Sequence, residues 1–146
     1  MIQNPTKKIV VNFSTNEVEV AIGKVPNFIS NCSMNNSDSV LHEHTLNFSE
    51  ILSTGSRLVV NLNEISETKT EINLEVKRVV GAFDKPHEIT NANSHIDNFT
   101  STLSKLLQDK NLEPTEQELK TQANQATNSI IISVFIVALI VIYFLS

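Results

Sequence analysis

The sequence contains few of the residues on which several function classes depend. Its single cysteine, Cys32, excludes an intrachain disulfide. Its three glycines do not form the glycine-rich loop that binds phosphate. It carries 11 basic against 16 acidic residues, a net charge of −5, and so offers no concentrated basic surface for nucleic acid. The N-terminus has no apolar core of a secretory signal peptide, so we expect a reducing, cytosolic environment.

One long apolar run stands at the C-terminus, Ser129–Ser146 (SIIISVFIVALIVIYFLS). Between Ile130 and Leu145 it holds no charge, proline or glycine. A helix of this stretch would be roughly 24 Å long, slightly shorter than a hydrocarbon core of about 30 Å. A buried core helix is the alternative, but such a helix usually keeps a polar stripe. The run therefore predicts a transmembrane helix that anchors the chain by its C-terminus, with the preceding domain facing the cytoplasm.

The composition divides the chain into three parts. Residues 1–110 have the mixed apolar and polar pattern of a soluble α+β domain. Residues 111–128 (NLEPTEQELKTQANQATN) are polar and read as a spacer, and residues 129–146 form the predicted anchor. The membrane is thus the expected partner of the last part.

The first part begins with an apolar, β-branched strand, Lys8–Phe13. Ser14 and Glu17 then have the spacing of a helix capping box, and Pro26 should end or kink the helix that follows. Alternation of Val18 and Val20 leaves a strand possible at the same place. Residues 31–39 (NCSMNNSDS) read as a polar loop.

Three further segments alternate between apolar and polar residues, as strands with one buried face do: Val40–Phe48, Leu58–Leu62 and Thr70–Arg78. After a break that ends at Pro86, apolar residues recur at helical spacing up to Lys110. The expected fold class is therefore α+β. It has an antiparallel sheet of about four strands, a long C-terminal helix packed on one face, and one C-terminal transmembrane helix.

This order of elements, from Lys8–Phe13 to the helix that begins at Pro86, resembles the START/Bet v 1-like superfamily, the polyketide cyclase and lipid-transport group. The resemblance covers about residues 7–108 and rests on element order. It implies an apolar ligand held between the sheet and the last helix. The contacts would come from five residues: Ile72, Leu74, Val76, Phe99 and Leu103. Members usually have six or seven strands, so an α+β sandwich whose core consists of these same residues is the competing fold.

The polar residues give little support for a metal site or a catalytic site. On a strand, His42 and His44 would project to one face about 7 Å apart, close enough to share a metal ion if a third ligand came from elsewhere in the chain. Two histidines of an ordinary strand are the simpler explanation of the pair, and His87 and His95 fit the polar face of the last helix. Cys32, in a polar loop without basic neighbours, reads as an ordinary thiol. We therefore expect no catalytic residues, no metal and no cofactor.

Two functions remain. The first is a non-enzymatic binding module for an apolar ligand or lipid, kept beside the membrane by its anchor. The second is a tail-anchored protein–protein interaction or structural domain that has no ligand.

Overall fold

The structure is a computed structural model that describes residues 3–50 and 55–114. The predicted transmembrane helix, 129–146, and all but the first residues of the predicted spacer lie outside this part of the chain. Within the described residues, no helix is both long and apolar enough to cross a bilayer. The anchor and the domain boundaries therefore stay predictions.

The fold is α+β, with one antiparallel sheet and a long helix after it. The elements are β1 (Thr6–Val11), α1 (Thr15–Lys24), a 3-10 turn (Val25–Asn27), β2 (Cys32–Asp38), β3 (Glu43–Phe48), β4 (Ser56–Ser66), β5 (Lys69–Arg78) and α2 (Pro86–Gln108). The strand order is β1-β5-β4-β3-β2, so β1 and β2 are the outer strands. The sheet has five strands, one more than the sequence pattern indicated.

The additional strand is β2, which occupies the segment predicted to be a polar loop. It pairs with β3 from Cys32 opposite Phe48 to Asp38 opposite Glu43, with a register shift between Met34 and Asn36. That prediction was wrong because only Cys32 of this strand is buried. An outer strand whose side chains mostly face solvent shows no apolar alternation.

The helix α1 begins as its capping box predicts. The Ser14 hydroxyl accepts a hydrogen bond from the Glu17 amide at 3.4 Å, and the Glu17 carboxylate accepts one from the Ser14 amide at 3.0 Å. Pro26 lies in the 3-10 turn that follows the helix. A strand at this position is excluded, since Val18 and Ile22 belong to one buried helical face.

Both helices pack on the same face of the sheet and share its apolar core. The alternation of β5 is confirmed, because Ile72, Leu74 and Val76 are at most 2% exposed. From α2, the buried side chains recur at helical spacing: Ala92, His95, Ile96, Phe99, Leu103, Leu106 and Leu107. One face of the sheet is thus covered by α1 and α2.

Candidate functional site

The five residues that the START-like resemblance implies as ligand contacts lie in this core. Ile72, Leu74 and Val76 come from β5, whereas Phe99 and Leu103 lie one turn apart on α2. None is more than 2% exposed. They belong to one buried core, and Leu103 also borders an open cleft.

The larger cleft lies between α1 and the C-terminal end of α2. Its volume is about 140 Å³. Val20, Ala21, Leu106 and Leu107 form its apolar walls, and its polar lining consists of Asn16, Glu17, Lys24 and Lys110. The first turn of α1 and the end of α2 approach each other here, so both helices contribute walls and charged groups.

Charged side chains bridge the two helices at this cleft. The Lys110 ammonium lies 2.6 Å from the Glu17 carboxylate, and the Lys24 ammonium donates to the Lys110 carbonyl oxygen at 3.0 Å. The hydrogen bond from Lys110, together with those from Ser14, lowers the pKa of Glu17 to about 2. Glu17 thus both caps α1 and ties it to the end of α2.

A smaller cleft of about 70 Å³ lies on the other side of α2, against β1. Ile9, Val11 and Phe13 form its β1 side, and Leu103 and Leu107 form its helical side. Leu107 lines both clefts and is itself 5% exposed. The last two turns of α2 therefore have apolar space on each side, and Leu107 borders both clefts.

His42 and His44 do not share a strand as predicted. His42 precedes β3, in a turn where its φ is 51°, and only His44 belongs to the strand. Both nevertheless approach the same carboxylate, Glu19 of α1. His42 Nδ1 lies 2.7 Å and His44 Nε2 lies 3.7 Å from Glu19 Oε1. The tertiary fold thus brings Glu19 close to both imidazole rings, a contact that the sequence pattern of the strand did not predict.

His44 is the more buried of the two, at 3% exposure. Its Nδ1 lies 2.9 Å from the Ser37 hydroxyl, but its Nε2 has no hydrogen-bond partner among the described residues. Burial lowers the pKa of His44, although the Glu19 carboxylate acts in the opposite direction. Across residues 3–50 and 55–114, no group of three or more His, Cys, Asp or Glu side chains is placed to hold a metal ion.

His95 was expected on the polar face of α2, and this expectation was wrong. Its ring is buried and stacks on Phe48, with ring centroids 4.4 Å apart. Its Nε2 lies 3.0 Å from the Glu50 carboxylate, which also accepts a hydrogen bond from Ser56 at 3.1 Å. Spacing could have shown this, because His95 precedes the buried Ile96 and lies four residues before Phe99. His87, by contrast, is exposed as predicted.

Cys32 lies in β2 and is 8% exposed, so its predicted position in a polar loop was wrong. Burial raises the pKa of its thiol to about 12. Since the thiolate is the reactive form, this cysteine behaves as an inert core residue.

No family model matches the sequence, and no curated protein matches it. Solved structures do match the fold. An uncharacterised protein from Bacillus thuringiensis aligns with a TM-score of 0.55 and 9% identity, over 73% of this chain and all of that one. A START superfamily protein from Mycobacterium smegmatis aligns with a TM-score of 0.50 and 8% identity, over 72% of this chain and 97% of that one.

The fold is START/Bet v 1-like. A third similar structure is the di-domain ARO/CYC protein BexL, with a TM-score of 0.50 and 12% identity, over 76% of this chain and 47% of that one. The resemblance in element order is therefore confirmed at the level of the fold. At these identities, the likeness assigns no ligand and no reaction to this chain.

Proposed function

We propose that this chain is a non-enzymatic binding module for an apolar ligand with one slender chain, held at a membrane by residues 129–146 with its folded domain facing the cytoplasm. The observation that carries the proposal is the pair of apolar clefts on either side of Leu107. The START-like fold supports it, because the M. smegmatis structure and BexL share this architecture.

The size of the clefts limits the ligand. An apolar cavity of about 150 Å³ admits one benzene ring, and the larger cleft is similar at about 140 Å³. This space suits the end of a single acyl chain rather than a fused-ring lipid. If Leu107 moved aside, the chain could continue into the cleft against β1, towards Leu103.

The charges at the larger cleft suit an anionic head group. Lys24 and Lys110 both line it, and their ammonium groups would face a carboxylate or phosphate. Glu17 now pairs with Lys110, so an entering anion would compete with that carboxylate. The proposal includes no catalytic step, because His95 and Glu50 pair with each other and line neither cleft.

Photocrosslinking tests the proposal with the full chain in phospholipid vesicles. A fatty acid with a diazirine near its methyl end is added, irradiated, and the adducts are mapped by peptide mass spectrometry. We expect adducts on the helix segments 20–24 and 103–107. Adducts confined to 129–146 would contradict ligand binding and favour the interaction domain without a ligand.

A pair of variants separates filling of the cleft from a general effect of added bulk. Val20 lines the larger cleft and is 57% exposed, so Val20→Trp fills the space without disturbing the core. Val80→Trp adds the same ring at a residue that is 63% exposed and lines neither cleft. Adducts should fall several-fold in the first variant and persist in the second.

The anchor has its own test. Protease added to intact cells should leave the domain uncut, whereas protease added to opened cells should remove it from the membrane fraction. Cleavage in intact cells would overturn the cytoplasmic assignment.

A further inference from the structure

The turn between β2 and β3 exposes two large apolar side chains. Val40 is 86% exposed and Leu41 is 73% exposed, more than any other large apolar residue of the described chain. Both lie in the turn between Asp38, the last residue of β2, and Glu43, the first residue of β3. Adjacent exposed apolar side chains at the tip of a hairpin contribute nothing to the core, so the fold itself does not account for them.

The turn is held in place by several hydrogen bonds. One oxygen of the Asp38 carboxylate accepts from the amides of Val40 and Leu41 at 2.9 and 3.0 Å. The next residue, His42, accepts from the Leu62 amide through its carbonyl at 2.9 Å and meets Glu19 through its ring. His42 also adopts a φ of 51°, which non-glycine residues rarely do. The structure therefore presents the two apolar side chains on a braced turn.

Other apolar residues share this end of the domain. Glu43 pairs with Asn61 and Ser66 pairs with Lys69, which places the β2–β3 and β4–β5 turns at the same end of the antiparallel sheet. Ile65, beside the β4–β5 turn, is 53% exposed.

The end of α2 lies next to α1, at the same end of the sheet. Glu19 of α1 meets His42 next to the β2–β3 tip, and Glu17 of the same helix meets Lys110 just beyond α2. These two α1 residues are about 3 Å apart along the helix axis, although their side chains point to different sides of the helix. Thr15 of α1 also lies 3.2 Å from Thr70 at the start of β5. The end of α2 therefore lies at the same end of the sheet as the tip, on the β1 side, and in the sequence residues 111–128 lead from it to the apolar run 130–145.

We propose that Val40 and Leu41, at the tip of the β2–β3 hairpin, insert into the surface of the lipid bilayer to which the chain is tethered. This inference rests on the membrane anchor of the proposed function. By themselves, two exposed apolar side chains would bind a lipid bilayer only weakly. A tether of this kind raises the effective concentration of the surface to the order of millimolar, so weak contacts suffice.

The contact is hydrophobic rather than electrostatic. The tip is flanked by Asp38 and Glu43, and no polybasic segment accompanies it. Neutral phosphatidylcholine should therefore support insertion as well as or better than anionic phosphatidylglycerol, and added salt should not release the tip.

Environment-sensitive fluorescence tests the insertion. The full chain carrying Val40→Cys is labelled with a nitrobenzoxadiazole maleimide and reconstituted into phosphatidylcholine vesicles. Val80→Cys, an exposed position near the end of β5, is the matched control. The native Cys32 is buried, and the unsubstituted chain measures its background labelling.

We expect the probe at position 40 to emit at shorter wavelength than the probe at position 80. Nitroxide-labelled lipid should also quench it several-fold more strongly. Equal emission and quenching at the two positions, in protein that floats with the vesicles, would overturn the insertion while the anchor stands. Failure of the unsubstituted chain to float would overturn the anchor of the proposed function, and the insertion with it.

Discussion

His95 of α2 lies against Phe48 at the end of β3, with the planes of the two rings inclined by 22°. The same imidazole contacts Glu50 just beyond the strand. His95→Ala removes both interactions, and we expect a loss of about 2 kcal/mol of stability. Thermal unfolding of the full chain in detergent, followed by far-UV circular dichroism, measures it. His87→Ala, at an exposed site of the same helix, should change little, and equal losses would contradict a specific role for the stack.

Thr70 joins the start of β5 to the segment between β1 and α1. Its buried hydroxyl donates to the Phe13 carbonyl at 2.8 Å and lies 3.2 Å from the Thr15 hydroxyl. Thr70→Val keeps the shape but leaves these groups without their partner, at a cost of about 1–3 kcal/mol. The same unfolding measurement applies. Thr68→Val, at an exposed residue of the adjacent turn, should leave the midpoint nearly unchanged.

Two glycines should respond oppositely to alanine. Gly55 has a φ of 77°, and an added Cβ would lie 2.6 Å from the Phe48 carbonyl oxygen, so Gly55→Ala should cost at least about 2 kcal/mol. Gly23 lies in α1 with open space around it, so Gly23→Ala should stabilise the protein by about 0.5–1 kcal/mol. Shifts of the same sign in the two unfolding midpoints would contradict this difference.

Acid should weaken the link between α1 and the end of α2. The pKa of Glu17 falls from 4.5 to about 2 on folding, so the unfolded chain binds the proton more readily between these values. This contribution to stability is complete above pH 4.5 and is lost as the pH falls towards 2. Unfolding midpoints measured across that range should fall less steeply for Glu17→Gln than for the unsubstituted chain. Parallel pH profiles would refute the assignment.

Cys32 should resist thiol reagents until the protein unfolds. Its burial and its pKa of about 12 leave almost no thiolate at pH 8. Maleimide labelling of the full chain should be slow without denaturant and rapid in concentrated urea. The exposed thiol of Val80→Cys should react quickly in both, and equally fast labelling of Cys32 in the folded chain would disprove its burial.

The sequence was most informative where local chemistry and burial agree. The α1 cap depends on Ser14 and Glu17, three residues apart, and β5 shows strict alternation because one face is buried and the other is wet. Such features need no knowledge of distant partners. The START-like order of strands and helices was predictable for the same reason, because each element has its own local pattern.

The wrong predictions concern residues whose structure depends on hydrogen bonds and packing that the local pattern does not show. The apolar alternation from Val40 to Phe48 predicted one strand, but its first residues form a turn. The Asp38 carboxylate holds this turn by accepting from the Val40 and Leu41 amides, and an alternation of apolar residues gives no sign of such hydrogen bonds. Helical spacing can place His95 on the buried face of α2, but it cannot identify the partners of the ring, because Phe48 and Glu50 come from another part of the chain.

The candidate site was only partly predictable. The START-like resemblance implies Leu103, which does border a cleft, but it does not imply Lys24 or Lys110, which line the larger cleft. Their proximity depends on how α1 crosses the end of α2, and no local spacing encodes that crossing.

The polar character of β2 bears on whether copies of the domain aggregate. An outer strand offers unpaired amides and carbonyls to any neighbouring chain, which is the first step towards fibril-like association. In β2, a register shift interrupts the regular ladder and the side chains from Asn35 to Ser37 are hydrophilic. At the opposite edge, Lys7 and Lys8 of β1 are charged and pair with Asp97 and Glu71. Irregular, polar and charged outer strands disfavour edge-to-edge pairing, so we expect copies of the domain to remain dispersed at high concentration.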